Sequence, residues 1–536
     1  MFSRKISALL SWCDPAALTL PGPGVRAAQV ETRAQAAMSH APGSMSMSQR
    51  IHNPREWTRM QRQRRDDLEA LLAADAAPER TERILDLVCE ICEEADWADI
   101  SAGPPLQDIA HPAIDRQCAE TACLMGWTAL LLASRPDSIA PHMIMRMLHE
   151  TRRRVFTPIL SHEDYSFMAP ETPGAISVLC AAATAGILLE TDISRRNAVL
   201  RRLTRLLDDA CDAMDASARP LEALVSDARA ATDLAEIMRR VSRGAVNLSD
   251  QLPMGVWLDT ILAAHAGGAM FFDPAGNGML PQISGADVYR LGVSANDDAL
   301  RALGAALDRL TGIPASSVNG RLLFMDLALE MSGEMRRTPK LRHARVPGLA
   351  IGMGGGFLCA LYGSGSRRNT GDIAIMLEDR PLFVDAGADV SSRNLPMIAG
   401  NLPLAAPRCP DLECDFSRER AMLSLDLTDT YPSDANIRVY QRTLLIDREQ
   451  DCVRLIDTLD LPEGGVVRFQ FVTAQHPQLS RDGMGLGATW FSWPGEPQLR
   501  INSISSRDFP GDLWLVSLEY MQRSGREIYA FELERT

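Results

Sequence analysis

Near residue 340 the apolar pattern of this 536-residue chain changes period, and no other feature restricts its fold so strongly. Before that point apolar residues recur every three or four positions. Leu200, Leu203, Leu207, Ala210 and Met214 share one helical face, as do Ile114, Cys118, Thr121 and Met125. Short links rich in Pro, Gly and Asp, such as Ser134-Arg135-Pro136-Asp137, separate the helices. Beyond it the alternation is two-residue. Leu423, Leu425 and Leu427 interleave with Ser424 and Asp426, and Val467, Phe469 and Phe471 with Arg468 and Gln470. Turn clusters at Pro432-Ser433-Asp434, Asp447-Arg448-Glu449, Pro462-Glu463-Gly464 and Arg481-Asp482-Gly483 recur at a sandwich-like spacing. No fixed-period repeat marks a solenoid. The expected fold class is α+β multidomain, an N-terminal (α/α) helical toroid over 51–337 followed by an antiparallel β-sandwich over 338–536. Residues 1–50, Ala-, Pro-, Gly- and Ser-rich without sustained periodicity, read as a disordered tail or a mis-assigned start, with Met45 or Met47 an alternative beginning.

The two patterns meet between Gly348 and Gly400. There Gly371 to Gly387 reads as a hairpin: Ile373 and Ile375 alternate with Ala374 and Met376, Glu378 and Asp379 turn, and Pro381 to Val384 return to a Gly-closed corner at Asp385. The run Gly352-Met353-Gly354-Gly355-Gly356 lacks the Lys-Ser/Thr of a phosphate loop and reads as a second hairpin turn.

Charge and cysteine usage narrow the function. A net charge of -14 argues against general nucleic-acid binding, and no apolar run is long enough to insert across a membrane. Lys5 and Lys340 are the only lysines, so nearly all positive charge is guanidinium, suited to clamping carboxylate or sulfate but for most of the arginines better explained by a GC-rich genome. Eleven scattered cysteines suit a reducing, cytoplasmic compartment, with a periplasmic or secreted location left open. Cys89 and Cys92 form a CxxC inside an amphipathic helix pattern, and no second pair completes a zinc site.

The phrase Arg380-Pro381-Leu382-Phe383-Val384-Asp385-Ala386-Gly387, followed by Arg393-Asn394-Leu395-Pro396, resembles the sheet domain of the heparinase II/III-like polysaccharide lyases. Cys92-Glu93-Glu94-Ala95-Asp96-Trp97 and Glu150 to Pro158, with Arg152, Arg153 and Arg154, resemble helical phrases of the same family in the same order. The resemblance implies an acidic, uronate-containing polysaccharide as partner, β-elimination as reaction, and zinc at an Asp equivalent to Asp385 in some members. It leaves homodimerisation open.

Departures from the family weigh on that implication. The family's Asn-Asn-Trp phrase is replaced by Glu171-Thr172-Pro173-Gly174-Ala175, its catalytic Tyr phrase by Asp215 to Leu221, and its histidines by arginine; residues 221–250 read as polar helix without a counterpart. Elimination needs a neutralised carboxylate, a base for the C5 proton and an acid for O4, and a guanidinium is a poor base. Catalysis is therefore lost or relocated. If relocated, His162 and Tyr165 are the candidate acid/base pair, against a reading in which they pack a helix start. Arg367, Arg368, Asn369, Arg393 and Asn394 are the candidate substrate-binding residues. With the ligand histidines gone, Asp385 is expected to bind no zinc and to pair with an arginine, so no cofactor is expected. His111 reads as a turn residue, His265 as a core histidine and His343 as solvated linker. The alternative function is a non-catalytic carbohydrate-binding or interaction protein.

Overall fold

The computed structural model describes all residues except 1, 19, 21–26, 41–44, 75–77, 100–107, 109, 135–138, 215–218, 249–251, 253, 276–277, 323–342, 364–369, 387–392, 405–411, 463, 507–508, 510 and 523–524. The chain divides into two compact units. One comprises Met1–Met214, Ala223–Met254 and Ser284–Arg336, the other Asp215–Glu222, Gly255–Ile283 and Arg337–Thr536. The expected single boundary after 337 is corrected by this division, because two stretches of the helical half belong with the sheets. Among the described residues no helix is long and apolar enough to cross a membrane.

The first unit is helical. Its innermost helix, Ala175–Leu189, is almost entirely apolar and buried, and it packs against Arg116–Ala133 and Ile193–Met214. The anticipated faces are the buried ones: Leu200, Leu203, Leu207 and Ala210 on one helix, Cys118, Thr121 and Met125 on the other. Asp227 caps the inner helix from outside its sequence, accepting from the Gly174 and Ser177 N–H groups at 3.0 and 2.9 Å and from Ser177 Oγ at 2.7 Å. A carboxylate there satisfies orphan amides and complements the helix dipole. The stretch expected as polar helix over 221–250 contains Leu221–Val241, of whose charged residues Asp227, Arg229 and Asp233 are buried. Arg229 Nε donates to Asp233 at 2.7 Å, with both side chains buried.

The expected tail is also corrected. Phe2–Trp12, Ala27–Ser39 and Met47–His52 are helices. Phe2 and Leu9, seven positions apart and thus on one face, are buried, and Asp208 accepts from the Phe2 and Ser3 amides at 2.5 and 3.1 Å. These helices are short and separated by Pro and Gly, so tertiary burial, not local periodicity, holds them.

The second unit is an antiparallel sandwich. One sheet runs, neighbour to neighbour, Gln478–Leu479, Gly483–Leu486, Thr489–Ser492, Gly525–Arg535, Cys452–Leu461, Val439–Asp447, Arg420–Asp426 and Glu413–Phe416. The other runs Gln498–Ile504, Leu513–Met521, Val466–Thr473, Arg380–Phe383, Ile373–Leu377, Phe357–Tyr362, Leu349–Gly354 and His343–Val346, with Met397–Ile398 paired onto Val466–Thr473. Alternate residues from both sheets, including Phe357, Ile375, Phe383, Leu423, Leu444, Phe469, Phe471 and Phe531, meet in a continuous core. A second core lies on the other face of the sheet that contains Ile373–Leu377, where Ala263, Ala266, Phe272 and Met279 cover Ile351, Ala360, Met376 and Val472. That burial is why 255–283 belongs to this unit.

Both anticipated hairpins are present. The first turns at Glu378 and Asp379, both left-handed with φ 47° and 68°, the geometry that matches strand twist. Gly267 permits it, since a Cβ at that position would lie 2.4 Å from Asp379 Oδ1. The second turns at Gly355 and Gly356. His343, expected as solvated linker, instead opens an edge strand and stacks on Phe416 with ring centroids 4.4 Å apart. His265 is half-buried, its Nε2 3.1 Å from the Gly268 carbonyl.

Candidate functional site

Two places gather the candidate residues, one in each unit. In the helical unit, Ala140–Thr151 runs into a π-helical turn, Arg152–Phe156, and then the short helix Thr157–Ser161. Such turns insert a residue into a helix and often mark functional positions. The three consecutive arginines are committed locally. Arg152 Nε donates to Glu190 at 2.8 Å, Arg153 and Arg154 reach Glu150 at 2.8 and 3.1 Å, and Arg154 also donates to the Ala95 carbonyl at 3.0 Å.

The chain leaves Thr157–Ser161 at His162, whose φ of -120° and ψ of 157° are extended. A bend at Glu163 follows, and His162 and Asp164 come together on either side of it. They meet His111, from a loop 53 residues before Asp164. His111 Nε2 lies 2.8 Å from Asp164 Oδ1, and the two imidazole centroids are 4.4 Å apart at 60°. Tyr165 completes the cluster, its ring 4.7 Å from His111 and stacked on Phe167 at 5.5 Å. The loop is gripped on both sides of His111: His162 Nε2 is 3.1 Å from the Ala110 carbonyl, and the Tyr165 hydroxyl donates to the Pro112 carbonyl at 2.9 Å. Arg202 holds the His162 carbonyl at 2.7 Å.

Electrostatically the cluster is uneven. The hydrogen bond to Asp164 raises the His111 pKa and lowers that of Asp164. Burial, reinforced by the Asp164 charge, pushes Tyr165 up to about 12, so its hydroxyl stays protonated at neutral pH. Both histidine rings are half-exposed, whereas Tyr165 is 7 % exposed. Sequence reasoning found His162 and Tyr165 and missed His111 and Asp164. The only available signal for His111 was an imidazole next to a proline, which local patterns read as a turn.

In the sheet unit the family-like phrases form a buried polar knot. Asn394 donates through Nδ2 to the Ile373 and Val384 carbonyls at 2.8 and 3.0 Å and accepts the Val472 N–H at 2.7 Å. Its own N–H goes to Asp372 Oδ1 at 3.1 Å, which also accepts from Ile373 N at 2.7 Å. Asp385 Oδ2 accepts the Gly278 amide at 3.2 Å. Arg442, from the opposite sheet, donates to the Gly371 and Asn394 carbonyls at 2.8 and 2.7 Å. Asp372, Asp385, Arg393 and Asn394 are all 0 % exposed. Burial and the neighbouring Asp385 charge push Asp372 up to about 7, against the opposing pull of Arg393.

Arg393 and Asn394, the candidate substrate-binding residues, are both interior, and Asn394 spends its side chain tying Ile373, Val384 and Val472 together. Arg367, Arg368 and Asn369 lie outside the described residues. Among the described residues Asp385 belongs to no group of three or more His, Cys, Asp or Glu side chains that could hold a metal ion.

The sequence matches no protein-family model and no curated protein. Solved structures do match. A Streptomyces coelicolor chondroitin AC lyase, solved in complex with chondroitin sulphate, is 13 % identical with a TM-score of 0.59, covering 99 % of this chain and 83 % of its own. A heparinase III is 9 % identical with a TM-score of 0.58, covering 95 % and 84 %. A Paenibacillus xanthan lyase is 10 % identical with a TM-score of 0.59, covering 100 % of this chain and 59 % of its own. The chain has the fold of these polysaccharide lyases, as its sequence resemblance implied.

Proposed function

We propose that this protein binds or processes an acidic, uronate-containing polysaccharide, and that the polysaccharide meets the helical unit at His111, His162, Asp164 and Tyr165. The observation that carries the reading is the convergence of two imidazoles, a phenol and a carboxylate, in a chain whose fold is shared with a chondroitin AC lyase, a heparinase III and a xanthan lyase. The inherited Asn, Tyr and His carriers are replaced, so chemistry, where it occurs, is relocated to this cluster, with His162 and Tyr165 the residues that touch the sugar. The half-exposed His162 ring suits that contact, with the buried Tyr165 packed edge-on against it.

A second reading, a non-catalytic carbohydrate-binding or interaction protein, is favoured by one specific observation. Arg393 is interior beside Asp372, not displayed to a ligand. The deciding experiment incubates purified protein with alginate, heparan sulfate, chondroitin sulfate and hyaluronan and follows the ultraviolet absorbance of the unsaturated uronate that elimination produces. A rise abolished by His162→Ala or Tyr165→Phe establishes the lyase. Binding with no rise establishes the second reading, and neither activity nor binding refutes both.

A further inference from the structure

We propose that His111, His162 and Asp164 form a binding site for one divalent metal ion of the zinc type. One potential ligand atom from each of the three lies within 4.8 Å of the others, and no other group of this kind occurs among the described residues. Two imidazoles and one carboxylate are the donor set of three-ligand, open zinc sites, in which water or a substrate oxygen takes the remaining position.

Beyond the ligands themselves, their support points the same way. A ligating histidine ordinarily gives its second ring N–H to a carbonyl or carboxylate, which fixes tautomer and orientation. His162 Nε2 is 3.1 Å from the Ala110 carbonyl, which leaves Nδ1 as its ligating atom. The Tyr165 hydroxyl anchors Pro112, the residue after His111, and Arg202 anchors the His162 carbonyl. Each histidine backbone is thus tied down within one residue of the ligand. A bare His111–Asp164 ion pair accounts for the 2.8 Å contact. The second imidazole, brought edge-on to 4.4 Å, adds a third donor that the ion pair does not use.

The assignment goes beyond the functional reading and is tested without polysaccharide. Untagged full-length protein, stripped with chelator and dialysed, is titrated with Zn2+ by calorimetry and with Co2+ by visible absorbance. The expected result is one equivalent bound per chain, with affinity reduced at least about tenfold in His111→Ala, His162→Ala and Asp164→Asn, by analogy with the 10–100-fold cost of even outer-shell losses, and far-ultraviolet circular dichroism unchanged. Cys89→Ser/Cys92→Ser is expected to bind as the parent does. Failure to bind either ion, or stoichiometric binding that survives in the His111→Ala/His162→Ala double variant, overturns the proposal. Loss of binding only in the cysteine variant overturns it equally.

Discussion

Arg442 and Asp457 face each other on adjacent strands as a two-pronged ion pair, Nε to Oδ1 at 2.8 Å and Nη2 to Oδ2 at 2.9 Å, with both side chains inside the sandwich. The third guanidinium nitrogen reaches across to the Gly371 and Asn394 carbonyls, in the turns beside the opposing sheet. One side chain therefore fastens both sheets. Removing one partner of a buried pair strands the other charge, at a cost of about 3–5 kcal/mol. Arg442→Ala and Asp457→Asn are each expected to lower the unfolding free energy read from urea titration by that order. The double variant should be less destabilised than the sum, and strict additivity would show that the pair is not coupled.

Asp372 supplies a pH dependence with a definite sign. Its folded-state pKa, about 7, lies above its ordinary value of 3.8. The stability tied to its proton is fully present below about 4 and is lost as pH rises through about 7, at up to about 1.4 kcal/mol per pH unit. Asp372→Asn keeps an acceptor for the Ile373 and Asn394 amides and removes the charge. Thermal unfolding from pH 5 to pH 8 should show the parent losing stability relative to the variant. A constant difference across that range would refute the assignment.

Asn394 carries a third expectation. Asn394→Ala leaves the Val472 N–H and the Ile373 and Val384 carbonyls without their side-chain partner inside the core, at about 1–3 kcal/mol for a stranded polar group. The urea midpoint should fall, and the polysaccharide affinity of the variant's folded fraction should match the parent's. A loss of affinity with stability intact would return Asn394 to the substrate.

The N-terminal helices lend themselves to a direct measurement. Phe2 is fully buried and Asp208 holds the first two amides of its helix. Phe2→Ala is expected to cost about 3–5 kcal/mol, as large-to-small core changes do, and a chain begun at Met47 should be less stable still. Calorimetric unfolding indistinguishable from the parent would show the docking to be dispensable.

Much of the architecture was legible from the chain, because long amphipathic helices and alternating strands carry their period on their surface. Leu203 and Phe469 reveal which way they face without any knowledge of their neighbours. Short or composite features were not. Phe2–Trp12 has too few turns to declare itself, and 255–283 is recognisable as sheet-unit chain only once Phe272 is seen beneath Val472. At the candidate site, His162 and Tyr165 stood out as neighbours in sequence. His111 is brought to them by folding alone, and Asn394 looked polar enough for a ligand while its partners were strand carbonyls that no motif records.

The covering of the strands by Ala266 and Phe272 also sets an order of events. Those residues emerge from the ribosome some two hundred positions ahead of Val472 and Leu513, which share their core. Contacts of such sequence separation are slow to form. The early segment meets its first strand partners at Ile351, Ala360 and Met376, some eighty to a hundred positions on, and its cover is complete only when Val472 and Leu513 join that core.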